Sequence, residues 1–552
     1  MQEIELRFLV PQARLKGLMR QVKVKSSEVT LMSAHYFDTP KQELAKHGIG
    51  LRIRREGQEW VQTIKARGDG IAARLEHNMI LDNEQVAAML RTDSLLPDLS
   101  IYKETAIAPA LADFKLKKLA KKLTRQYVTD VERTTRLLVD EDKKDDSDKQ
   151  DKASTIEVAY DYGKIIHGDD ESSTQSIQEI EFELVSGELD FLFTTAKVWC
   201  KRYKLCLSTV TKAERGGLLI NDCDYSPAVR ANVKQLAFEQ DISMPAFIRA
   251  AVHNCLLQIL PNSSAIADGS DDLEHVLQLR IGLQRLRTAL KAFKKFSEQL
   301  NPEWLAILKQ TASLLGDYRQ IAYLSGDIEP RLQHSGAPKV DWSAENNQIK
   351  IKPIDAVRAN DFQLTLLELI DFTMSDVTLE AKADKKAKDK LAKVLSKQHI
   401  KLLEAAHDFE DLGFVNKDAK ESEFVENKAN SNENNDSNNS GNLTNDANDL
   451  QTAAQTQHKL RRQIKKMRYI SEFAAPLYSK KKTKRWLKRL KKAQQVLGES
   501  IDNNHYQHYY QQKSSIDANA LYGAGWFSAQ LKADTKRCKK RLDKMQNATS
   551  FW

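Results

Sequence analysis

The most constraining feature of this sequence is a set of short segments in its first ~220 residues, in which apolar residues alternate with charged ones. Segments such as IELRF, GLRIRRE and EIEFELV repeat with a period of two, which is typical of β-strands with two different faces. Alternate side chains of a strand point the same way, so Glu179, Glu181 and Glu183 share one face. A strand with one apolar and one charged face does not fit an ordinary sandwich, and we expect its charged face to line a wet cavity.

The charged faces carry both signs. The candidate lining contains the carboxylates Glu3, Glu5, Glu76, Glu157, Asp161, Glu179, Glu181 and Glu183, and the cations Arg7, Arg52, Arg54, Lys65, Arg74, Arg133, Lys212 and Arg215. Carboxylate oxygens are the ligands that Mg2+ and Mn2+ prefer, whereas Lys and Arg bind the phosphates that such metals bridge. A single Glu-x-Glu is more often a pair of exposed strand carboxylates, but the joint pattern over six strands favours a ligand that is itself a metal complex.

Beyond Asp241 the period becomes helical, and positive charge is concentrated in two places. The chain carries a net charge of +9, yet His458 to Lys492 contains 15 Lys and Arg residues against one acid. Arg280 to Lys295 contains six cations and no acid. Such local charge attracts polyanions: nucleic acid, anionic lipid or phosphate polymers.

An internal repeat relates the two basic segments. His275 is followed 41 residues later by Gly316 in LLGDYRQ, and His458 is followed 40 residues later by Gly498 in VLGESIDN. On a helical wheel, each copy places its cations on one face and its apolar residues on another, and His275 falls on the apolar face, where packing or capping is as good an interpretation as phosphate contact. A solvated surface is the simpler interpretation of one cationic helix, but two such faces without acids at i+4 favour a bound polyanion.

Several classes of protein are disfavoured. No apolar run approaches the ~18 residues of a membrane helix, and the first residues lack a secretory signal, so we expect a cytoplasmic protein that binds no membrane. The five cysteines form no CxxC pair, and there is no phosphate loop of the GxxxxGK[ST] type. Residues 141–154 are polar, as in a long loop, and residues 416–457 bury too little to fold.

Nine segments resemble, in order, the CYTH domain of triphosphate tunnel metalloenzymes. They are EIELRF, HYFDTP, HGIGLRIRREG, WVQTIKA, RLEHN, VERTTR, TIEVAYDYG, EIEFELVSGELD and STVTKAERG. The resemblance implies an eight-stranded antiparallel β-barrel whose tunnel binds triphosphate and a divalent metal. The family motif Glu-x-Glu-x-Lys reads Glu3-Ile-Glu5-Leu-Arg7 here, which keeps the charge but replaces a compact ammonium with a planar fork.

The second half resembles the CHAD domain, an α-helical domain named for its histidines that binds polyphosphate in its family. The matching segments are HVLQLRIGLQRLR and HKLRRQIKKMRYISEF, followed by LLGD and VLGE. The predicted fold class is therefore α+β and multidomain, with a tunnel followed by a duplicated helical bundle. We predict a CYTH domain at 1–220, a linker at 221–240, a CHAD domain at 241–535 with a disordered insertion at about 416–457, and a C-terminal tail at 536–552.

The pairing of these domains resembles bacterial inorganic triphosphatases, which implies hydrolysis of tripolyphosphate to pyrophosphate and phosphate. The resemblance assigns phosphate binding to Arg7, Arg52, Arg54, Lys65, Arg74, Arg133, Lys212 and Arg215. It assigns Mg2+ or Mn2+ binding to Glu3, Glu5, Glu181 and Glu183, and catalysis to Glu157, Asp161 and Lys65. Long-chain polyphosphate is expected at Arg280, Arg287, Lys291, Arg461, Lys465 and Arg468.

Three alternatives stay open. The same barrel could serve a thiamine triphosphatase or a class IV adenylate cyclase, which should show aromatic contacts for an organic group, and Trp60 is the only obvious aromatic in a matched strand. A non-catalytic polyphosphate scaffold is the second alternative, suggested only by Arg7. Nucleic acid is the third and least expected partner, because phosphate contacts alone do not distinguish it from polyphosphate.

Overall fold

The computed structural model describes residues 2–67, 73–140, 153–236, 238–426 and 440–552. The first half of the chain forms one sheet and the second half is helical, as the change of period predicts. The strands are β1 Gln2–Leu9, β2 Glu28–Asp38, β3 Ile49–Glu56, β4 Glu59–Arg67, β5 Ala73–Leu81, β6 Thr124–Val139, β7 Thr155–His167, β8 Thr174–Ser186 and β9 Cys206–Leu207.

The sheet is antiparallel, with the strand order β5-β4-β3-β2-β6-β7-β8-β1-β9. β1 also pairs with β5 over three residue pairs, Gln2–Ile4 with Ala73–Leu75, which links the first strand of the order to the last but one. Further along, Phe8 and Leu9 of β1 pair with β9 instead. The described sheet thus has nine strands where the sequence predicted eight, because a two-residue strand between two helices is too short to show a period.

The two faces of the strands differ as the alternation predicts. On β3, Leu51 and Ile53 are buried in an apolar cluster outside the sheet, while Arg52 and Arg54 point to the other side and line an inner cavity. On β8, Ile180 and Phe182 belong to a second outer cluster, and the intervening carboxylates face inward. The outer face is covered by helices and loops, so the charged face is the inner one.

Six helices accompany the sheet. They are α1 Gln12–Val22, α2 Glu43–Lys46, α3 Asn83–Arg91, α4 Leu116–Ala120, α5 Leu189–Tyr203 and α6 Lys212–Ile220. α6 begins with a capping box in which the Thr211 side chain accepts from the N–H of Glu214 and the Glu214 side chain accepts from the N–H of Thr211. Because such a box satisfies two free N–H groups, the start of α6 is fixed at Thr211.

The second half consists of eleven described α-helices. They are α7 Met244–Asp268, α8 Leu273–Phe293, α9 Trp304–Tyr323, α10 Glu329–His334, α11 Ser343–Asn347, α12 Pro353–Arg358, α13 Asn360–Met374, α14 Ala387–Glu426, α15 Ser440–Ala474, α16 Lys480–Lys513 and α17 Ala520–Gln546. None of the described helices is both long enough and apolar enough to cross a membrane. One apolar cluster runs from Phe182 and Trp199 beside the sheet to Phe247, Leu286 and Phe473 in the helices, so the two halves share a core.

Three segments differ from the sequence expectations or lie outside the described residues. Residues 141–152 and 427–439 are outside the described part. Helical backbone covers both ends of 416–457, where the sequence predicted none, as α14 ends at Glu426 and α15 begins at Ser440; a helix that is anchored elsewhere extends at little cost. Residues 536–552 are not a free tail, because α17 continues to Gln546 and Phe551 is 6% exposed.

Candidate active site

The register of the strands places inward-facing charged residues of adjacent strands directly opposite one another, in rows across the sheet. Arg133 on β6 lies opposite Asp161 on β7, which lies opposite Glu179 on β8. In the next row, Glu181 on β8 lies opposite Arg7 on β1. The register therefore brings four strands together at one group of alternating charges.

Two arginines hold the carboxylates of these rows. Arg133 binds Asp161 through two parallel bonds, Nε to Oδ1 and Nη2 to Oδ2, both at 2.7 Å. Its Nη2 also donates to Glu181 Oε2 at 2.6 Å. Arg7 donates from Nε to Glu181 Oε1 at 2.7 Å and from Nη2 to Glu5 Oε1 at 3.0 Å. Such charge-assisted bonds fix the side chains in one geometry.

The third cation, Lys212, comes from a helix and not from a strand. As the first residue of α6, it places Nζ 2.6 Å from Asp161 Oδ2, 2.6 Å from Glu179 Oε1 and 3.1 Å from Glu181 Oε1. The capped start of α6 thus points a lysine at three buried acids.

These contacts set the protonation states of the site. Burial by itself would raise the pKa of Glu181, but Lys212, Arg7 and Arg133 together hold it well below its usual range. Asp161 behaves in the same way, since Lys212 and Arg133 outweigh its burial and lower its pKa. Both carboxylates are therefore ionised at neutral pH, which is the state that binds cations and phosphate-bound metals.

Three acids are close enough to share a metal ion. Asp161, Glu179 and Glu181 are buried and each offers an oxygen within 4.8 Å of the others. Glu179 Oε2 is buried and accepts no hydrogen bond, so one possible ligand atom is not held by a hydrogen-bond donor. Hard carboxylate oxygens suit Mg2+ or Mn2+, and the donor set fits such an ion without distinguishing the two metals.

The opposite wall of the cavity is cationic. Arg52 donates from Nη1 to the Tyr36 hydroxyl at 3.2 Å, and its buried Nε makes no hydrogen bond. Burial and the neighbouring Arg52 lower the pKa of Arg54 to about 10, although Arg54 also donates to Glu56. Lys65 lies 2.9 Å from Glu76. A cavity with acids on one wall and excess cations on the other is polarised across its width.

Most of the predicted site residues line this tunnel cavity. Those that do are Glu5, Arg7, Arg52, Arg54, Lys65, Arg74, Arg133, Asp161, Glu181 and Lys212. The described lining also includes Tyr36, Thr63 and Thr129, which sequence reasoning missed. The alternation in HYFDTP could have indicated Tyr36, because it shares a strand face with Ala34.

The other predicted residues lie elsewhere. Of the four proposed metal ligands only Glu181 belongs to the three-acid cluster; Glu183 is two residues along β8, about 7 Å away along the strand, opposite Glu157 and Glu5. The Glu3 side chain lies outside the described part of the chain. Arg215 is on α6, in a wider groove that adjoins the tunnel cavity. Glu179, predicted only as a lining residue, is the missed member of the acid cluster.

In the helical half, two arginines occupy equivalent places in the repeat. Arg280 on α8 packs against Gly316 of α9, where an added Cβ would lie 3.0 Å from its Nη2. Arg461 on α15 packs against Gly498 of α16, with a corresponding distance of 3.5 Å. Each arginine lies over a helix that approaches closely because the position is glycine.

This pairing changes the register of the repeat. If Arg280 corresponds to Arg461, then His458 corresponds to Leu277 and not to His275. His275 is 3% exposed and its two ring nitrogens contact Ser270 Oγ and the Ser226 carbonyl. It therefore has a packing role, one of the two interpretations that its place on the apolar face left open.

Several arginines of the helical half have a buried Nε donor that makes no hydrogen bond. The Nε atoms of Arg280, Arg287, Arg461 and Arg468 are buried and make no hydrogen bond. Burial, together with Arg461 and Arg280, lowers the pKa of Lys465 to about 7. Lys291 is exposed near the end of α8. Asp502 lies 3.3 Å from Arg461 and Glu472 lies 3.8 Å from Arg468. The buried Nε donors of Arg280 and Arg287 stay unused, an arrangement that suits an added anion.

Comparison with known proteins identifies both halves. The CYTH domain family matches residues 1–216, and the CHAD domain family matches residues 250–510. The chain is a CYTH–CHAD protein. An inorganic triphosphatase from Haemophilus influenzae is 31% identical over 225 residues, which are 40% of this chain and 55% of that protein. This chain thus matches about half the length of that relative.

Solved structures resemble the CYTH–CHAD protein more distantly. The CHAD domain of the plant Ricinus communis has a TM-score of 0.41 at 21% identity, over 59% of this chain and 99% of that one. A Hippeastrum protein described as an adenylyl cyclase with a dominant triphosphatase activity has a TM-score of 0.28 at 14% identity, over 40% and 96% of the two chains. Neither likeness is close enough to bear on fold or function.

Proposed function

We propose that this CYTH–CHAD protein is a metal-dependent inorganic triphosphatase that hydrolyses tripolyphosphate to pyrophosphate and phosphate. The observation that carries the proposal is the polarised tunnel, with Asp161 and Glu181 on one wall, the buried Glu179 clustered with them, and Arg52 and Arg54 on the other wall. A linear triphosphate with bound metal has the complementary arrangement of charge. The CYTH match and the triphosphatase relative support the same class of substrate.

The cationic wall binds and orients the phosphates. Arg52 lines this cavity and its buried Nε makes no hydrogen bond, and Lys65 and Arg74 extend the wall along β4 and β5. Arg133 and Lys212 lie beside the acids, since each contacts Asp161 while lining the cavity. They are placed to bind the phosphate nearest the acids, where charge develops when a phosphoanhydride bond breaks.

The acid cluster holds Mg2+ or Mn2+ in this proposal. Bound there, the ion would neutralise phosphate charge and lower the pKa of a coordinated water. Asp161 and Glu181 are kept ionised by their cations, and Glu179 contributes an oxygen without a hydrogen bond. Glu5 stays a candidate metal ligand, because Arg7 donates to both Glu5 and Glu181 and so holds the two carboxylates near each other. Glu157, from the row of Glu183, is the weaker candidate because it does not belong to the cluster.

An inorganic substrate fits this cavity better than an organic triphosphate. Among the described lining residues Tyr36 is the only aromatic, and its ring is already stacked on Tyr127 with a centroid distance of 4.7 Å. Trp60 is not in that lining; its ring lies 5.9 Å from His35. A thiamine or adenine ring would therefore find little to stack on.

The test is phosphate release by the pure full-length chain. Tripolyphosphate, ATP, thiamine triphosphate and pyrophosphate are supplied at equal concentration with Mg2+ or Mn2+. We expect tripolyphosphate to give the highest kcat/KM and chelation of the metal to abolish turnover. Preference for thiamine triphosphate or ATP would transfer the assignment to another enzyme of the same fold, and turnover of none would favour a binding scaffold.

We further propose that the CHAD half binds long-chain polyphosphate. Four buried arginine Nε atoms without hydrogen bonds support this, as does the contribution of Arg280 and Arg461 to the lowered pKa of Lys465. Nucleic acid is the weaker candidate. The unused Nε donors of Arg280 and Arg461 lie where two helices pack closely at a glycine, and a polyphosphate chain is thin enough to approach such a place whereas a nucleic-acid duplex is not. A cytoplasmic location is part of the proposal, supported by five cysteines that are all free thiols.

A further inference from the structure

The first helix of the CHAD domain ends against the loop that leads into α6. Ser264 Oγ on α7 accepts a hydrogen bond from the N–H of Thr209 at 3.2 Å and lies 3.3 Å from the Ser208 hydroxyl. Ser208 and Ser264 are both buried. A side chain of the helical domain therefore fixes the loop before the helix that carries Lys212.

Asp268 lies one turn beyond Ser264, at the end of α7, and reaches α6 itself. Its Oδ2 is 3.5 Å from Nη1 of Arg215, and the two side chains are 33% and 9% exposed. Because residues four apart lie on one face of a helix, Ser264 and Asp268 contact the beginning of α6 together. No strand residue is involved in this contact.

Arg215 thus stands between two carboxylates from different domains. Its Nε lies 3.9 Å from Glu179 Oε2, whereas its Nη1 lies 3.5 Å from Asp268 Oδ2. Neither Arg215 Nε nor Glu179 Oε2 makes a hydrogen bond, although both are buried. The guanidinium is held near the acid cluster without closing onto it.

We propose that Asp268 is a positioning residue for the metal site of the CYTH domain. It draws Arg215 toward the helical domain and so leaves Glu179 Oε2 available to the divalent cation. This inference rests on the proposed function, since it takes Asp161, Glu179 and Glu181 as the cation site. Without Asp268, Arg215 closes on Glu179, forms a charge-assisted hydrogen bond and removes one oxygen from that site.

The experiment measures Mn2+ binding to the full chain without substrate, by electron paramagnetic resonance of the free ion. We expect Asp268→Asn to weaken Mn2+ binding about 10-fold, the lower end of the effect of losing a residue that orients a ligand. Asp268→Glu should stay within about twofold of the natural chain. The melting temperature of Asp268→Asn should change by no more than about 2 °C, because a partly exposed ion pair contributes little to stability.

A double variant tests whether Asp268 affects Mn2+ binding through Arg215. Adding Arg215→Gln to Asp268→Asn should restore Mn2+ binding, because the competing guanidinium is gone. The matched control is Asp371→Asn, which breaks another ion pair between the two halves, Lys197 to Asp371 at 2.8 Å, with Asp371 29% exposed. We expect that control to bind Mn2+ as the natural chain does.

The outcomes separate this inference from the proposed function. A natural chain that binds no Mn2+ and releases no phosphate would remove both. A natural chain that does both, with Asp268→Asn binding Mn2+ equally well, would overturn only the role of Asp268. Weakened binding without rescue by Arg215→Gln would also overturn it, since Asp268 would then act by some other path.

Discussion

At the scale of single residues, the site depends on carboxylates that stay ionised while buried. Glu181 is 7% exposed and accepts from Arg7 and Arg133. Removing a charged acceptor from such a network leaves its cations without compensation, and the cost of unpaired buried charge is large. Glu181 is also a proposed metal ligand, so both the packing of the buried charges and metal binding depend on this one carboxylate.

Glu181→Gln should therefore lower kcat/KM for tripolyphosphate by on the order of 100-fold, the effect of removing one well-placed electrostatic group. The control is Glu132→Gln. Glu132 lies on β6 beside Arg133 but on the other face of the strand, where its side chain is 44% exposed and lies 3.5 Å from Lys23 Nζ. Activity of the control should match the natural chain. Undiminished turnover by Glu181→Gln at saturating metal would exclude Glu181 from the site.

We expect Lys465 to give the proposed polyphosphate site a pH dependence. Burial, with Arg461, Arg280 and Arg468, lowers its pKa to about 7, and Asp502 opposes this only in part. A bound polyanion favours the charged form and raises the pKa of Lys465, so binding should take up a proton above pH 7. Affinity should therefore rise as pH falls toward about 7 and level off below it, where Lys465 is already charged before binding.

Calorimetry at pH 8 in two buffers of different ionisation enthalpy measures that proton uptake. Lys465→Arg is the control, because a guanidinium stays charged throughout this range. We expect Arg at this position to remove most of the proton uptake and to keep the binding. Nearby histidines, His458 and His505, would account for uptake that persists in the variant.

At the scale of elements, α6 shows how closely a helix must approach the sheet. An added Cβ at Gly216 would overlap the ring of Tyr127, whereas one at Gly217 would meet nothing within 4 Å. Tyr127 in turn donates from its hydroxyl to the Ala213 carbonyl at 3.0 Å. The absence of a side chain at Gly216 is what lets Lys212 reach the acids.

Gly216→Ala should displace α6 and destabilise the protein by about 1–3 kcal/mol, the usual cost of overpacking. We expect kcat/KM for tripolyphosphate to fall by more than the loss of folded protein explains, because a displaced α6 moves both Lys212 and Arg215. Gly217→Ala is the matched control, and it should stabilise the helix by up to about 1 kcal/mol with unchanged activity. The measurements are thermal unfolding and kcat/KM of both variants. Equal kcat/KM values for the two variants would contradict the prediction, because the displacement of α6 by Gly216→Ala would then not affect the site.

Elements also show where sequence reasoning succeeds. The alternation in β3 and β8 predicted which face is charged, because a period of two is local and survives any packing. The motifs and their spacing along the sequence indicate the repeat of α8 and α15, but they do not give its register. The contact of Arg280 with Gly316 depends on how two helices pack, which spacing along the chain does not determine.

At the scale of the whole molecule, the two proposed sites use separate charges. The tunnel cations contact tunnel acids, whereas Arg280, Arg461 and Lys465 belong to the helical domain. Replacing these three with Gln should weaken long-chain polyphosphate binding by at least about 10-fold and flatten its dependence on salt, since fewer counterions are released. Hydrolysis of tripolyphosphate should be unchanged.

The matched control replaces Lys481, Lys484 and Lys488, three exposed lysines of α16, with Gln. It removes the same charge from a different surface, so any general electrostatic effect appears in both variants. We expect it to bind polyphosphate nearly as the natural chain does. Equal losses in the two variants, measured by titration at several salt concentrations, would show that binding follows net charge and not this site.

The sequence by itself determined the two-part architecture, the charged inner face of the sheet and ten of the residues that line its cavity, because these follow from local periods and from motif order. Only the tertiary structure decided which acids meet. Asp161 and Glu179 are 18 residues apart and become neighbours through strand register, and Lys212 joins them from a helix. The contact of Asp268 with Arg215 belongs to the same class: it links two domains, and no pattern within either one specifies how the other packs against it.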